Sequence, residues 1–149
     1  MFDRAIDELW LRLGIGPGYM KERHGSTFTA ECHVRYLREI HLGDPVQVSI
    51  LLVAADEKRL HTFEELRHAT EGWLSATSEN MTIHIDMTAR KTAPFPSDIR
   101  ARVHNHLRCL ACRKLIFLIH KYLIVRWSVA CSRPYVKWNP NSVPFYLNQ

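Results

Sequence analysis

The sequence predicts a single α+β domain, an amphipathic helix followed by four antiparallel strands. Three observations predict it. Apolar residues recur at helical spacing from Phe2 to Leu13, the period switches to two from Ser26 onward, and short turn signals separate the later apolar runs. A chain of 149 residues is long enough for one core of its own.

Phe2, Ala5, Ile6, Leu9 and Leu13 share one side of the first helix, and Arg4 with Glu8 and Glu8 with Arg12 form i,i+4 pairs on the other. Gly14, Gly16, Pro17 and Gly18 end it at residue 13. From Ser26, Phe28, Ala30, Cys32, Val34 and Tyr36 alternate with Thr27, Thr29, Glu31, His33 and Arg35 as a long half-buried strand. Gly43-Asp44-Pro45 is a turn signal, and Val46, Val48, Ile50 and Leu52 continue as the second strand. Asp56-Glu57-Lys58 turns the chain into a third strand over 59–69, and Thr70-Glu71-Gly72 into a fourth over about 73–87. The connections predict an antiparallel meander in chain order. In the fourth strand Leu74 and Ala76 are even while Met81, Ile83, Ile85 and Met87 are odd, which predicts a bulge near Glu79-Asn80.

Pro94-Phe95-Pro96 ends the sheet, and Ser97 with Asp98 starts a helix whose apolar side is Ile99, Val103, Leu107 and Leu110, with a possible run through Leu118 and Tyr122. The region beyond Pro134 reads as coil. Residues 1–103 carry 13 basic and 15 acidic side chains, whereas 104–149 carry 7 basic and none acidic. That shift places the expected boundary at 103, with a basic, partly helical or disordered extension behind it.

Hydrophobic residues make up 46% and charged residues 23%, which argues against wholesale disorder and against a collagen-like or membrane class. Asp3, Arg4, Asp7 and Glu8 interrupt any secretory n- and h-region, and the apolar stretch from Leu115 to Trp127 is too short and too charged to span a bilayer. Cys32, Cys109, Cys112 and Cys131 are too few and too unevenly spaced for a disulfide framework. A cytoplasmic chain with reduced thiols is the expectation.

Five blocks carry a resemblance: Tyr36-Leu37-Arg38-Glu39, Leu42-Gly43-Asp44-Pro45, Lys58-Arg59-Leu60-His61, His84-Ile85-Asp86-Met87 and Ala93-Pro94-Phe95-Pro96. Together with the helix-plus-sheet order, they resemble hot-dog-fold acyl-CoA thioesterases of the 4-hydroxybenzoyl-CoA type over about residues 2–103. Within that group the chain is most similar to the betainyl-CoA thioesterase branch, associated with carnitine breakdown. The resemblance implies a hot-dog fold, a homodimer with a site shared between subunits, a small acyl-CoA substrate, and neither metal nor other cofactor. It also implies a short strand and an aspartate-bearing loop ahead of the helix. The sequence opens at Met1-Phe2 within the helix, so no residue here matches that aspartate and the first strand is expected to be missing. From His104 onward the chain does not resemble the family's short Ala-rich ending. A catalytically inactive module that binds acyl-CoA or pairs with an intact subunit is the alternative reading.

Thioester hydrolysis needs a carboxylate to activate water or attack the carbonyl, and donors that polarise that carbonyl. Glu79 at the expected bulge and His84 are the expected catalytic residues, with His61 as a possible assistant; each also reads as an ordinary structural or surface residue. Asp3 and Asp7 read as solvated. Trp10, Tyr36, Phe63 and Trp73, and also Phe28, are candidates for an aromatic cage around a quaternary ammonium, against plain core packing. Arg59 and Arg90, and also Arg38, Arg67 and Lys91, are candidates for coenzyme A phosphates, against solvated turns. His104, His106, Cys109, Cys112 and His120 form only a weak zinc pattern, with one Cys-x-x-Cys and misplaced histidines. Nucleic-acid binding by the basic tail, with Tyr122, Trp127, Tyr135, Trp138, Phe145 and Tyr146 for stacking, ranks below a plain basic extension.

Overall fold

The computed structural model describes residues 1–109, 114–119 and 125–127. Helix α1 spans Phe2–Leu13, the bounds its apolar spacing predicts, and Gly14 stops it by taking φ 87°, a left-handed conformation that favours glycine. The Gly14 amide donates to the Leu11 carbonyl and the Ile15 amide to the Trp10 carbonyl, closing the last turn. A short helix α2, Tyr19–Arg23, follows the glycine-rich stop, in a stretch to which the sequence pattern assigns no element.

Strands β1 (Gly25–Tyr36), β2 (Val46–Ala55), β3 (Arg59–His68) and β4 (Leu74–Asp86) fall where the four strands are expected, but β1 is exposed along most of its length, Phe28 and Tyr36 included, rather than half-buried. A two-residue strand β5, Lys91–Thr92, pairs with β4, and helix α3 spans Ser97–Arg108. Strands β6 (Lys114–Ile119) and β7 (Val125–Trp127) follow. The helix starting at Ser97 therefore ends at Arg108, and the residues through which it was expected to continue include β6, which pairs antiparallel with β2 in the same sheet. The expected boundary at 103 falls inside α3.

The strand order β1-β4-β3-β2-β6-β7 departs from a plain meander. β2, β3 and β4 are neighbours in chain order, but β1 pairs with β4, not with β2. The linker 37–45 explains this: it exceeds the roughly two to five residues of a tight hairpin and lets the chain cross the end of the sheet. The Leu37 and Arg38 amides both donate to the Ser75 carbonyl, which carries the β1–β4 contact past Tyr36.

The expected bulge at Glu79-Asn80 does not form, since both residues stay in register with β1 and β3. The shift on β4 sits at Ser75, between the Leu66–Ala76 and Arg67–Leu74 pairs, and β1 and β2 carry their own shifts between Thr29 and Glu31 and between Leu52 and Ala54. The even residues Ala76, Ser78, Asn80, Thr82 and His84 are all buried, while Met81 and Ile83 on the other side are only partly covered. Hydrophobicity misled here because the covered face of β4 is largely polar.

That covered face packs against α1 and α3. Ala5, Leu9, Trp10 and Leu13 of α1, and Ile99 and Val103 of α3, form one core with Val46, Val48, Ile50 and Leu52 of β2, Leu60 and Leu66 of β3, and Phe95. Arg23 of α2 makes a double hydrogen bond to Asp98 at the start of α3, at 3.2 and 3.1 Å, tying the two helices together. Among the described residues no helix is long and apolar enough to cross a membrane.

Candidate active site

Beneath the helices the sheet carries a polar cluster. Thr62 and Glu64 project from β3 in phase with Leu60 and Leu66, and their register partners across β4 are Asn80 and Ser78. Glu64 and Thr62 are 0% exposed, Ser78 2% and Asn80 4%. The Asn80 side-chain amide donates to Glu64 Oε1 at 2.7 Å and to Ser78 Oγ at 3.0 Å, and Ser78 Oγ donates to Asn80 Oδ1 at 3.3 Å. The second carboxyl oxygen, Glu64 Oε2, and the Thr62 hydroxyl are buried without a hydrogen-bond partner.

Burial pushes the Glu64 carboxyl up to about 8; the hydrogen bond from Asn80 works against this, Asp3 of α1 adds to it, and the amino group of Met1 opposes it. The influence of Asp3 and Met1 puts Glu64 near the start of α1, where no side chain caps the free amides of the first turn. Chemically this is a pre-oriented carboxyl with one unused oxygen. Proton transfer and stabilisation of a developing oxyanion are within its means.

The expected site residues are dispersed. Glu79 lies on the opposite face of β4, half exposed, and pairs with His61 at 2.7 Å. His84 lies on the covered face, so Glu79 and His84 point to opposite sides of one strand. Both His84 nitrogens are engaged: Nδ1–H donates to the Ala93 carbonyl at 2.9 Å, which leaves Nε2 to accept from the Tyr19 hydroxyl at 2.9 Å. Its ring also packs against Phe95, with centroids 4.6 Å apart.

The four expected cage aromatics do not converge. Trp10 is buried in the core, Tyr36 is 86% exposed at the end of β1, and Phe63 pairs across to Glu79 on the uncovered face. Trp73 stacks on His68, lies under the Arg38 guanidinium at 4.1 Å, and donates to Glu71 Oε2 at 2.8 Å. Arg59 is held by Asp56 at 2.6 Å, and Arg90 is exposed with φ 52° in the turn before β5. A groove of about 350 Å³ beside the β2–β3 turn includes Lys58 and Arg59, and one of about 260 Å³ on the other side includes Arg100 and His104; neither reaches Glu64.

Cys112 and His120 of the weak zinc pattern lie outside the described residues. His104 is exposed and His106 half-buried on α3, with burial and the charge of Arg12 holding the His106 imidazole below its usual range. Tyr122, Tyr135, Trp138, Phe145 and Tyr146 also lie outside the described residues.

Sequence reasoning missed Glu64. The signal was available: a glutamate in phase with Leu60 and Leu66 is a carboxyl placed on a core face. The weak alternation of this strand, with Phe63 on the opposite phase, hid it.

A long helix laid over one face of an antiparallel sheet is the hot-dog arrangement of α+β proteins. The chain belongs to the thioesterase-like superfamily, whose sequence profile matches residues 1–103. It is 34% identical over 103 residues to a betainyl-CoA thioesterase of Pseudomonas aeruginosa, covering 69% of this chain and 65% of that protein. It is also 34% identical over 103 residues to an L-carnitine dehydrogenase/betainyl-CoA thioesterase of Rhizobium meliloti, covering 69% of this chain and 21% of that one. The match thus spans about a fifth of one relative and just under two thirds of the other. The fold is similar to that of a hypothetical protein of Staphylococcus aureus in complex with CoA, with a TM-score of 0.69 at 21% identity, covering 99% of this chain and 78% of that one.

Proposed function

We propose that this protein hydrolyses a small acyl-CoA thioester, with betainyl-CoA as the first substrate to test. The observation that carries the reading is the match of residues 1–103 to the thioesterase-like superfamily, over which the chain is 34% identical to a betainyl-CoA thioesterase. Water adds across the C–S bond to give the free acid and coenzyme A. Exposed Arg90 in the turn before β5 and Lys91 at the start of that strand are the proposed phosphate contacts, since Arg59 is already committed to Asp56. The Cys32 thiol, which is in no disulfide, and a water-soluble acyl-CoA substrate support a cytoplasmic location.

The test is thiol release from betainyl-CoA, acetyl-CoA and a medium-chain acyl-CoA. Turnover above the buffer rate is expected, and is highest for betainyl-CoA. Binding of all three esters without thiol release would reject hydrolysis and favour an inactive acyl-CoA-binding module.

The proposed assembly is a homodimer. β1 pairs with β4 alone, so among the described residues its other side is an open edge twelve residues long. Two such edges joined about a twofold axis make one continuous sheet and remove the exposed backbone row from both subunits. Sedimentation equilibrium at micromolar concentration should return twice the 17.4 kDa chain mass. A monomer throughout that range would sink the proposal.

A further inference from the structure

We propose that Glu64 is the general base of this hydrolysis, receiving the proton of a water molecule that attacks the thioester carbonyl beside the first turn of α1. The inference rests on the hydrolase reading above and goes beyond it by assigning the carboxylate. Three observations converge on this residue.

The first is the unfinished hydrogen bonding. Glu64 Oε2 and Thr62 Oγ1 are two buried polar atoms without partners, on one face of β3 and two residues apart. Buried polar atoms in folded proteins are nearly always paired, so two orphans side by side mark a place for a small polar guest such as a water molecule or a carbonyl oxygen. The second is orientation. Asn80 holds Glu64 Oε1 at 2.7 Å and is itself held by Ser78, so the free oxygen is fixed in direction before any substrate arrives. The third is the neighbouring helix. The first-turn amides of α1 have no side-chain cap, and such amides suit the negative charge that develops on a thioester oxygen.

Glu79 has none of these properties: it is half exposed, on the other face, and already paired with His61. The raised proton affinity of Glu64 fits the role, since a base poised near 8 holds the abstracted proton well. The charged groups bearing on it are Asp3 and the amino group of Met1, both on the α1 side; its partner on β4, Asn80, is neutral.

The step balances without a further reactant. Ionised Glu64 takes a proton from water as the water oxygen bonds to the acyl carbon, and the carbonyl π electrons move to oxygen. The intermediate collapses, the C–S bond breaks, and the departing thiolate recovers the proton from Glu64.

The experiment is kcat/KM against pH for the wild type, Glu64→Gln and Glu64→Asp, with a thermal melt of each. In the wild type kcat/KM should rise with pH and level off near 8. Glu64→Gln should lower kcat by about 10²–10⁴ and abolish the rising limb while remaining folded. Glu64→Asp should keep a rising limb at reduced kcat, and it alone decides the matter if the glutamine variant does not fold. A glutamine variant within about threefold of wild type, or an aspartate variant with no rising limb, overturns the assignment. If the wild type itself releases no thiol, the hydrolase reading fails and takes this inference with it. Turnover that is indifferent to residue 64 defeats the inference alone.

Discussion

Raising the pH from about 5 to 9 should destabilise the fold, and Glu64→Gln should remove most of that dependence. The sign follows from linkage. In the unfolded chain the Glu64 carboxyl ionises at its ordinary 4.5, and in the fold burial lifts it to about 8. Between those values the folded state keeps a proton that the unfolded state has released, so stability is greatest below the lower value and is lost as pH climbs through the higher one. The slope reaches about 1.4 kcal/mol per pH unit, and over the whole window the loss approaches roughly 4–5 kcal/mol. Asp56, held down by the Arg59 side chain, and Asp86, held down by the amides of Ala89 and Thr88, act in the opposite sense and only in acid, below the ordinary aspartate range. Asp7 and Glu8, raised by partial burial, act near the bottom of the window. Urea unfolding of wild type and Glu64→Gln at intervals of one pH unit measures the effect. Parallel pH profiles for the two proteins would mean that Glu64 is ionised in the fold at neutral pH.

His84→Ala should cost about 3–5 kcal/mol of stability, far more than a surface histidine would. The ring is 4% exposed and joins three parts of the chain: its own strand, Tyr19 of α2, and the Ala93–Phe95 stretch ahead of α3. Truncation leaves a cavity and strands both the Tyr19 hydroxyl and the Ala93 carbonyl. Gly25 shows how tightly the ring is enclosed, because a Cβ there would lie 2.7 Å from His84 Nε2. Tyr19→Phe removes one of the two hydrogen bonds and keeps the packing, so its cost should be near 1 kcal/mol. Denaturant midpoints rank the two variants. A His84→Ala protein of unchanged midpoint but lost turnover would restore His84 to a chemical role.

The residues that shaped the outline of this fold announce themselves locally. Gly14 stops α1, Gly43-Asp44-Pro45 leads into β2, and the alternation of Val46 to Leu52 marks a covered face, all within a few positions of the feature they determine. What was illegible depends on distant partners. Whether β1 joins β2 or β4 is decided by a crossing of the linker 37–45 that no short window contains, and the pairing of Lys114–Ile119 with β2 is longer in range still. On β4, Met81 and Ile83 outweighed Ser78, Asn80 and Thr82 in the apolar pattern, so the covered face was read on the wrong side. The candidate site suffered from the same bias. Glu79 drew attention at a bulge that does not form, while Glu64, two leucines marking its phase, was passed over as one of several charges on β3.

The placement of β6 bears on how the polypeptide reaches this shape during synthesis. β2 obtains one of its two rows of backbone hydrogen bonds from β6, a segment that leaves the ribosome only after β3, β4 and α3. Until then the nascent body presents the ten-residue β2 as an unpaired border, in addition to β1, whereas with β6 and β7 in place the border on that side is, among the described residues, the three-residue β7. Contacts of such long sequence separation also form slowly, because loop closure must precede any reward from pairing. The interval between translation of α3 and arrival of β6 is therefore when this protein is most exposed to intermolecular strand exchange and most in need of a chaperone's protection.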